Sequence, residues 1–165
     1  MDSYLNMAKI LHLQNLDELA KANMLVLIVF NDKKDKAGEP YIRHLNKVSE
    51  SFRDDKGKCV ALLHDIVENT SFIFDDLIAL GFSKEVIDAL KLLTNDLGDY
   101  DKYIDRLIKS DNILAKKVKI ADLLDNMNLN RFEELDKTNF DRIRNKYVKT
   151  YIKLIDDLEG RILKW

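Results

Sequence analysis

The sequence predicts an all-α fold, a single-domain helical bundle of about eight helices. Three observations carry that expectation. Only 5 glycines and 1 proline occur in 165 residues, too few turn formers for a many-stranded sandwich or barrel. Apolar residues recur at three- and four-residue spacing along most of the chain. No repeat, low-complexity tract or linker-like stretch divides it, so residues 1–165 read as one domain. A chain of this length with 46% hydrophobic residues can bury a core without covalent staples.

The elements follow in order. Leu16 to Phe30 opens with the helix formers Asp17, Glu18, Leu19 and Ala20 and runs into the apolar stretch Met24 to Phe30. That stretch alone could be a buried strand, but it continues a helical start without a break. Asn31 to Pro40 is a polar loop closing on Gly38-Glu39-Pro40. Helices are expected over 41–52, which carries His44, and over 58–69, with Val60, Leu63 and Val67 at helical spacing. Ser71 is the expected cap of a short helix ended by Gly81, and Ser83 that of a helix reaching Leu93. Further helices are expected over 99–110, 113–129 and 139–163. The last places Phe140, Ile143, Tyr147, Tyr151, Leu154 and Leu158 on one stripe.

Composition narrows the function classes. Lysine and arginine number 27 against 29 acidic residues, a net charge of −2 that gives no general attraction to nucleic acid or anionic membrane. The longest apolar run is far too short to cross a bilayer, and Met1 to Leu13 lacks a signal-peptide pattern. A single cysteine, Cys59, excludes an internal disulfide and suits a reducing compartment, so a cytoplasmic protein is expected. Cys59 itself reads as a small buried hydrophobe.

Chemistry concentrates in three polar interruptions of apolar helices. His64-Asp65 lies in a largely apolar run, with Glu68 and Asn69 one turn further on, so the four form one polar patch. His44 lies on the helix after Pro40. Asp122 sits among Ile120, Ala121 and Leu123, followed by Asp125 and Asn126. A carboxylate buried among those neighbours is costly, and a bound cation would relieve the cost. Taken singly, Asp122 reads as a solvated helix face, and His44 as a surface or satisfied histidine. Tyr100 and Tyr103 read as packing residues rather than a nucleobase pocket. Arg142, Lys146, Lys149 and Lys153 form a basic stripe that reads as solvated, with its first turn within reach of a site.

The combination carries more than its parts. Asp35-Lys36-Ala37-Gly38-Glu39-Pro40-Tyr41-Ile42-Arg43-His44 resembles the opening motif of bacterial HD-domain hydrolases related to the Rel/Spo alarmone hydrolases. Ala61-Leu62-Leu63-His64-Asp65-Ile66-Val67-Glu68-Asn69-Thr70 resembles their signature helix, and Val118-Lys119-Ile120-Ala121-Asp122-Leu123-Leu124-Asp125-Asn126 their third motif. The resemblance spans about Asp35 to Tyr151. It implies an HD-type helical fold with His44, His64, Asp65 and Asp122 as metal ligands and Glu68 as acid/base. It further implies Asn126 near the substrate's sugar and Lys36 at the pocket mouth.

The sequence also departs from the pattern. Asn69 stands where the family usually has Asp, and an amide can orient a water but cannot act as a base. Asp35 stands where the alarmone hydrolases carry a guanine-stacking Arg, and its charge would repel phosphate. Leu45 replaces a common proline. The chain therefore resembles a sister group of small HD proteins, with alarmone hydrolysis compatible but not the first expectation.

Two imidazoles and two carboxylates suit Mn²⁺ first, with Fe²⁺, Zn²⁺ and Mg²⁺ as alternatives. The expected function is metal-dependent hydrolysis of a phosphate ester or pyrophosphate in a small nucleotide-like substrate, with Glu68 taking the proton of the attacking water. Arg131, Arg142 and Arg144 join Lys36 and Asn126 as substrate-binding candidates, and Asn69 joins Glu68 as a catalytic one. Partners are expected to be small molecules, not nucleic acid or membrane, and a homodimer is compatible. An HD-type 5′-nucleotidase and a non-catalytic metal-bearing nucleotide sensor are the alternatives.

Overall fold

The computed structural model describes residues 16–35, 38–131 and 136–162. Ten α-helices run through these residues: α1 (Glu18–Phe30), α2 (Tyr41–Ser49), α3 (Asp55–Leu63), α4 (Ile66–Asn69), α5 (Phe74–Ala79), α6 (Lys84–Leu93), α7 (Tyr100–Lys109), α8 (Ile113–Asn126), α9 (Lys137–Arg142) and α10 (Val148–Ile162). A 3₁₀ turn, Leu129–Arg131, follows α8, and a π-helical turn, Ile143–Tyr147, joins α9 to α10. No strand forms among the described residues; Lys34 and Pro40 pair as an isolated antiparallel bridge. No helix among them is long and apolar enough to cross a membrane.

The count exceeds the expected eight because two anticipated helices are interrupted. The first break falls at His64-Asp65. The imidazole Nδ1 of His64 donates to Ala61 O at 2.7 Å, occupying the carbonyl that an unbroken helix would offer to Asp65 N–H. Asp65 leaves helical geometry at φ −103°, ψ 1°, and α4 starts after it. The second break is the π turn, which splits the expected 139–163 helix and with it the apolar stripe. Phe140 is exposed, Leu154 is buried in the core, and Tyr147 and Tyr151 pack at its edge.

Local chemistry sets most boundaries. Asp17, Asp54, Asp99, Asn112 and Asp136 each cap a helix by accepting a backbone N–H of its first turn. Ser71 and Ser83 do not cap as expected. Thr70 Oγ1 instead accepts Phe72 N–H, α5 begins behind Ile73, and the buried Ser83 hydroxyl makes no cap bond. Gly57 is required by close approach: a Cβ there would meet the Phe52 ring at 2.5 Å. The core gathers Leu25, Val29 and Phe30 of α1, Leu45 and Val48 of α2, Val60 and Leu63 of α3 and Val118 of α8. Helix α3 packs between α1 and α2, and α8 touches α2, α3, α6, α7 and α10. The motif-bearing helices α2, α3 and α8 thus meet at the centre. Cys59 is fully buried there, as expected of a small hydrophobe, and burial pushes its thiol pKa up.

A charge in the core pins the C-terminal helix. Lys116 is fully buried, and its Nζ donates to Ile108 O at 2.7 Å and pairs with Asp157 Oδ2 at 2.6 Å. Arg161 holds the same carboxylate. Asp157→Ala leaves the Lys116 ammonium without its counter-charge and should cost about 3–5 kcal/mol of stability, read from urea unfolding.

Candidate active site

The break after Leu63 does what a continuous helix cannot. Neighbouring residues on a helix diverge by about 100°, yet His64 Nε2 and Asp65 Oδ2 end 3.3 Å apart. With Nδ1 of His64 spent on Ala61 O, Nε2 is the ring nitrogen left for the site; burial opposes charge on the ring, but Asp65 and Asp122 raise its pKa. Nε2 faces Asp65 Oδ2 and, at 3.6 Å, Asp122 Oδ1, and it has no hydrogen-bond partner despite full burial. From α2, His44 Nε2 lies 3.3 Å from Asp122 Oδ1 and 3.9 Å from Asp65 Oδ2. Donor atoms of His44, His64 and Asp65 all fall within 4.8 Å of one another. All four expected ligands therefore converge. A buried imidazole nitrogen facing two carboxylates with nothing between them fits a divalent cation.

Each of these groups is held from behind. Asp125 Oδ2 lies 2.7 Å from His44 Nδ1 and fixes the ring. The Tyr41 hydroxyl donates to Asp65 Oδ2 at 2.5 Å, its ring stacked on Phe30 at 5.0 Å. Asp122 Oδ2 takes the Lys119 ammonium at 2.8 Å, and Oδ1 accepts from Asn126 Nδ2. Burial opposes the charge on Asp122, but Lys119 and the two imidazoles hold its carboxyl well below the usual range. Burial also opposes the His44 imidazolium, yet Asp122 and Asp125 outweigh it and raise the pKa to about 9. Burial and then Asp65 push the Tyr41 phenol up, so it remains a donor.

Above these groups opens a cavity of about 430 Å³. Glu68 lies on its wall, with Oε1 accepting the Asn95 backbone N–H. Asn69 lies beside it, and its amide donates to the Tyr41 oxygen at 3.1 Å. Asn126, Arg131 and Arg142 line the cavity; Arg144 is exposed and does not. Lys36 lies outside the described residues, while Lys34 of the same loop is on the wall. Of the basic stripe, Arg142 and Lys146 face the cavity, and Lys149 and Lys153 are exposed. Tyr103 is buried with its hydroxyl on Leu93 O, yet both Tyr100 and Tyr103 line the cavity, Tyr100 under Lys146 Nζ at 3.7 Å from its ring centre.

Asp35 corrects an expectation. Its carboxylate is 7% exposed and bound to Arg131 Nη2 at 2.5 Å, so it presents no open charge to a phosphate ligand. Arg131 in turn spends Nη1 on Asp125. The sequence reading missed Tyr41, Lys119 and the hold of Asp125 on His44. Tyr41 sits three residues before His44, Lys119 three before Asp122, and Asp125 three after Asp122. Spacing of three on a helix brings side chains together and was the available signal.

No protein-family model matches the chain. It is 30% identical over 139 residues to guanosine-3′,5′-bis(diphosphate) 3′-pyrophosphohydrolase MESH1 of Drosophila melanogaster, over 78% of this chain and 76% of that protein. A solved structure, described as a metazoan ortholog of SpoT that hydrolyses ppGpp and plays a role in starvation responses, superposes with a TM-score of 0.68. That match has 25% identity over 88% of this chain and 87% of the other. Fold and relatives define an HD-type, metal-dependent phosphohydrolase. The chain belongs to the MESH1 family. The family is not confined to the bacterial proteins of the motif resemblance, since these relatives are animal ones.

Tyr41→Phe removes the donor behind Asp65 while keeping the ring on Phe30. Divalent-ion affinity, measured by calorimetric titration, should fall about 10–100-fold. Unchanged affinity would show that Asp65 needs no such support.

Proposed function

We propose that the chain removes pyrophosphate from the 3′ position of guanosine 3′,5′-bis(diphosphate) or a close nucleotide relative, using Mn²⁺. The observation that carries this reading is the convergence of His44, His64, Asp65 and Asp122 on the floor of a nucleotide-sized cavity with Glu68 on its wall. The named activity of the MESH1 relative supplies the substrate and the bond. Two imidazoles and two carboxylates favour Mn²⁺ over an all-oxygen or thiolate-seeking ion. The buried lone cysteine supports action in the cytoplasm.

His44, His64, Asp65 and Asp122 would hold the ion, whose bound form supplies an acidified water and a Lewis acid for phosphoryl oxygens. Glu68, tethered at Oε1 by Asn95, offers Oε2 to the proton of the attacking water. The water oxygen bonds to phosphorus, the bond from phosphorus to the 3′ oxygen breaks, and Glu68 returns the proton to that oxygen. Lys34, Arg142 and Lys146 stand on the wall to match phosphate charge, and Lys119 adds a positive charge at the floor. Asn69 acts by holding Tyr41 rather than as a base. The 5′-nucleotidase and sensor alternatives have no observation in their favour.

The reading is tested by turnover of guanosine tetraphosphate with Mn²⁺, which chelation should abolish. Glu68→Gln should bind Mn²⁺ normally and lose about 10²–10⁴-fold in kcat; near-normal turnover would hand the proton to another group. Because Asp35 is the counter-ion of Arg131, Asp35→Arg should lower kcat/KM on this substrate. An increase would restore the idea that Asp35 repels phosphate.

A further inference from the structure

Arg131 joins the loop before α2 to the C-terminal end of α8. Its Nη2 holds Asp35 Oδ2 at 2.5 Å, and its Nη1 holds Asp125, both at the main-chain oxygen (3.0 Å) and at Oδ2. That same Asp125 oxygen faces His44 Nδ1 at 2.7 Å. The result is an unbroken line, Asp35–Arg131–Asp125–His44, whose side chains are 7%, 16%, 8% and 4% exposed. One end is a candidate metal-holding imidazole. The other is the loop before α2, which carries Lys34 on the cavity wall.

Asp35 organises that loop. Its N–H donates to Glu39 O at 2.8 Å, its carbonyl accepts Gly38 N–H at 3.1 Å, and its Oδ1 accepts Glu39 N–H at 3.0 Å. All four residues of the line also border a second cavity of about 300 Å³, and Asp35, Arg131 and His44 border the first as well. The Arg131 ion pair is one of the loop's anchors; Lys33, which donates to Asn69 O and lies over the Phe30 ring, is another.

We propose that Arg131 and Asp125 are positioning residues that couple occupation of the metal site to the placement of Asp35 and the loop before α2. An ion at His44 Nε2 polarises the ring and strengthens the Nδ1–H bond to Asp125. Asp125 then fixes Arg131, and Arg131 fixes Asp35. The coupling is reciprocal, so loosening Asp35 weakens the ion at the opposite end. This rests on His44 as a metal ligand, as proposed above, but not on any particular substrate.

The test is hydrogen exchange of the full chain with and without Mn²⁺, together with Mn²⁺ affinity by calorimetry. In the wild type, Mn²⁺ should slow exchange at the amides of Asp35, Gly38 and Glu39. Arg131→Gln should abolish that protection and lower Mn²⁺ affinity about 10-fold, within the 10–100-fold range of such supporting residues. Asp35→Asn, remote from every proposed ligand and conservative in shape, should lower affinity several-fold and serves if Arg131→Gln does not fold. In ¹H–¹⁵N spectra of the Zn²⁺ form, the His44 Nδ1–H should be a downfield, slowly exchanging signal in the wild type and exchange faster in Asp125→Ala. Wild-type affinity in both Arg131→Gln and Asp35→Asn, or a loop that ignores Mn²⁺, overturns the coupling. A chain that binds no divalent ion overturns both this inference and the proposed reaction. One that binds the ion and protects the loop but turns over no nucleotide overturns the reaction alone.

Discussion

Two imidazoles and three carboxylates share one small buried volume at the junction of α2, α3 and α8, and the architecture around them answers to that concentration of charge. Buried carboxylates are tolerated only when paired or hydrogen-bonded. Tyr41 of α2, Lys119 and Asn126 of α8, and Arg131 of the 3₁₀ turn meet that demand. The oxygens held by Tyr41 and Asn126, Asp65 Oδ2 and Asp122 Oδ1, are the ones that face the two imidazoles, so the supports aim the carboxylates as well as satisfying them.

The His64–Ala61 hydrogen bond gives this arrangement its geometry. It ends α3 at the residue where the site needs two successive side chains pointing one way, and it sets which ring nitrogen is left for the site. A helix that ran on would have carried Asp65 away from His64. The interruption is therefore a requirement of the site, met by a side chain competing for its own helix's carbonyl.

Most of this bundle was legible in the residues. Apolar spacing and the scarcity of glycine and proline gave the helices and their order, while the caps expected at Ser71 and Ser83 did not form and aspartates took that role instead. The convergence of His44, His64, Asp65 and Asp122 followed from three motifs, because the motif residues lie on helices whose apolar faces must meet. What stayed hidden were long-range pairings. Nothing in the 31–40 segment announces that Asp35 will meet Arg131, ninety-six positions away, so its charge read as open when it is paired. Lys116 looked like one basic residue among many, and only packing reveals it as a core charge. The π turn was hidden for another reason. Its residues keep a helical composition, and one extra residue in a turn leaves no compositional trace.

That turn has an evolutionary consequence. A π turn is an α-helix with one residue inserted, and Ile143–Tyr147, itself part of the cavity wall, leads into the anchored body of α10. Loss of a single codon there would restore ordinary helical winding and swing everything before it through about 100°. Lys116 and Asp157 would keep α10 in place while Arg142 and Asn139 left the wall and other side chains replaced them. Variants with a different appetite for phosphate thus lie one deletion away, with the core untouched.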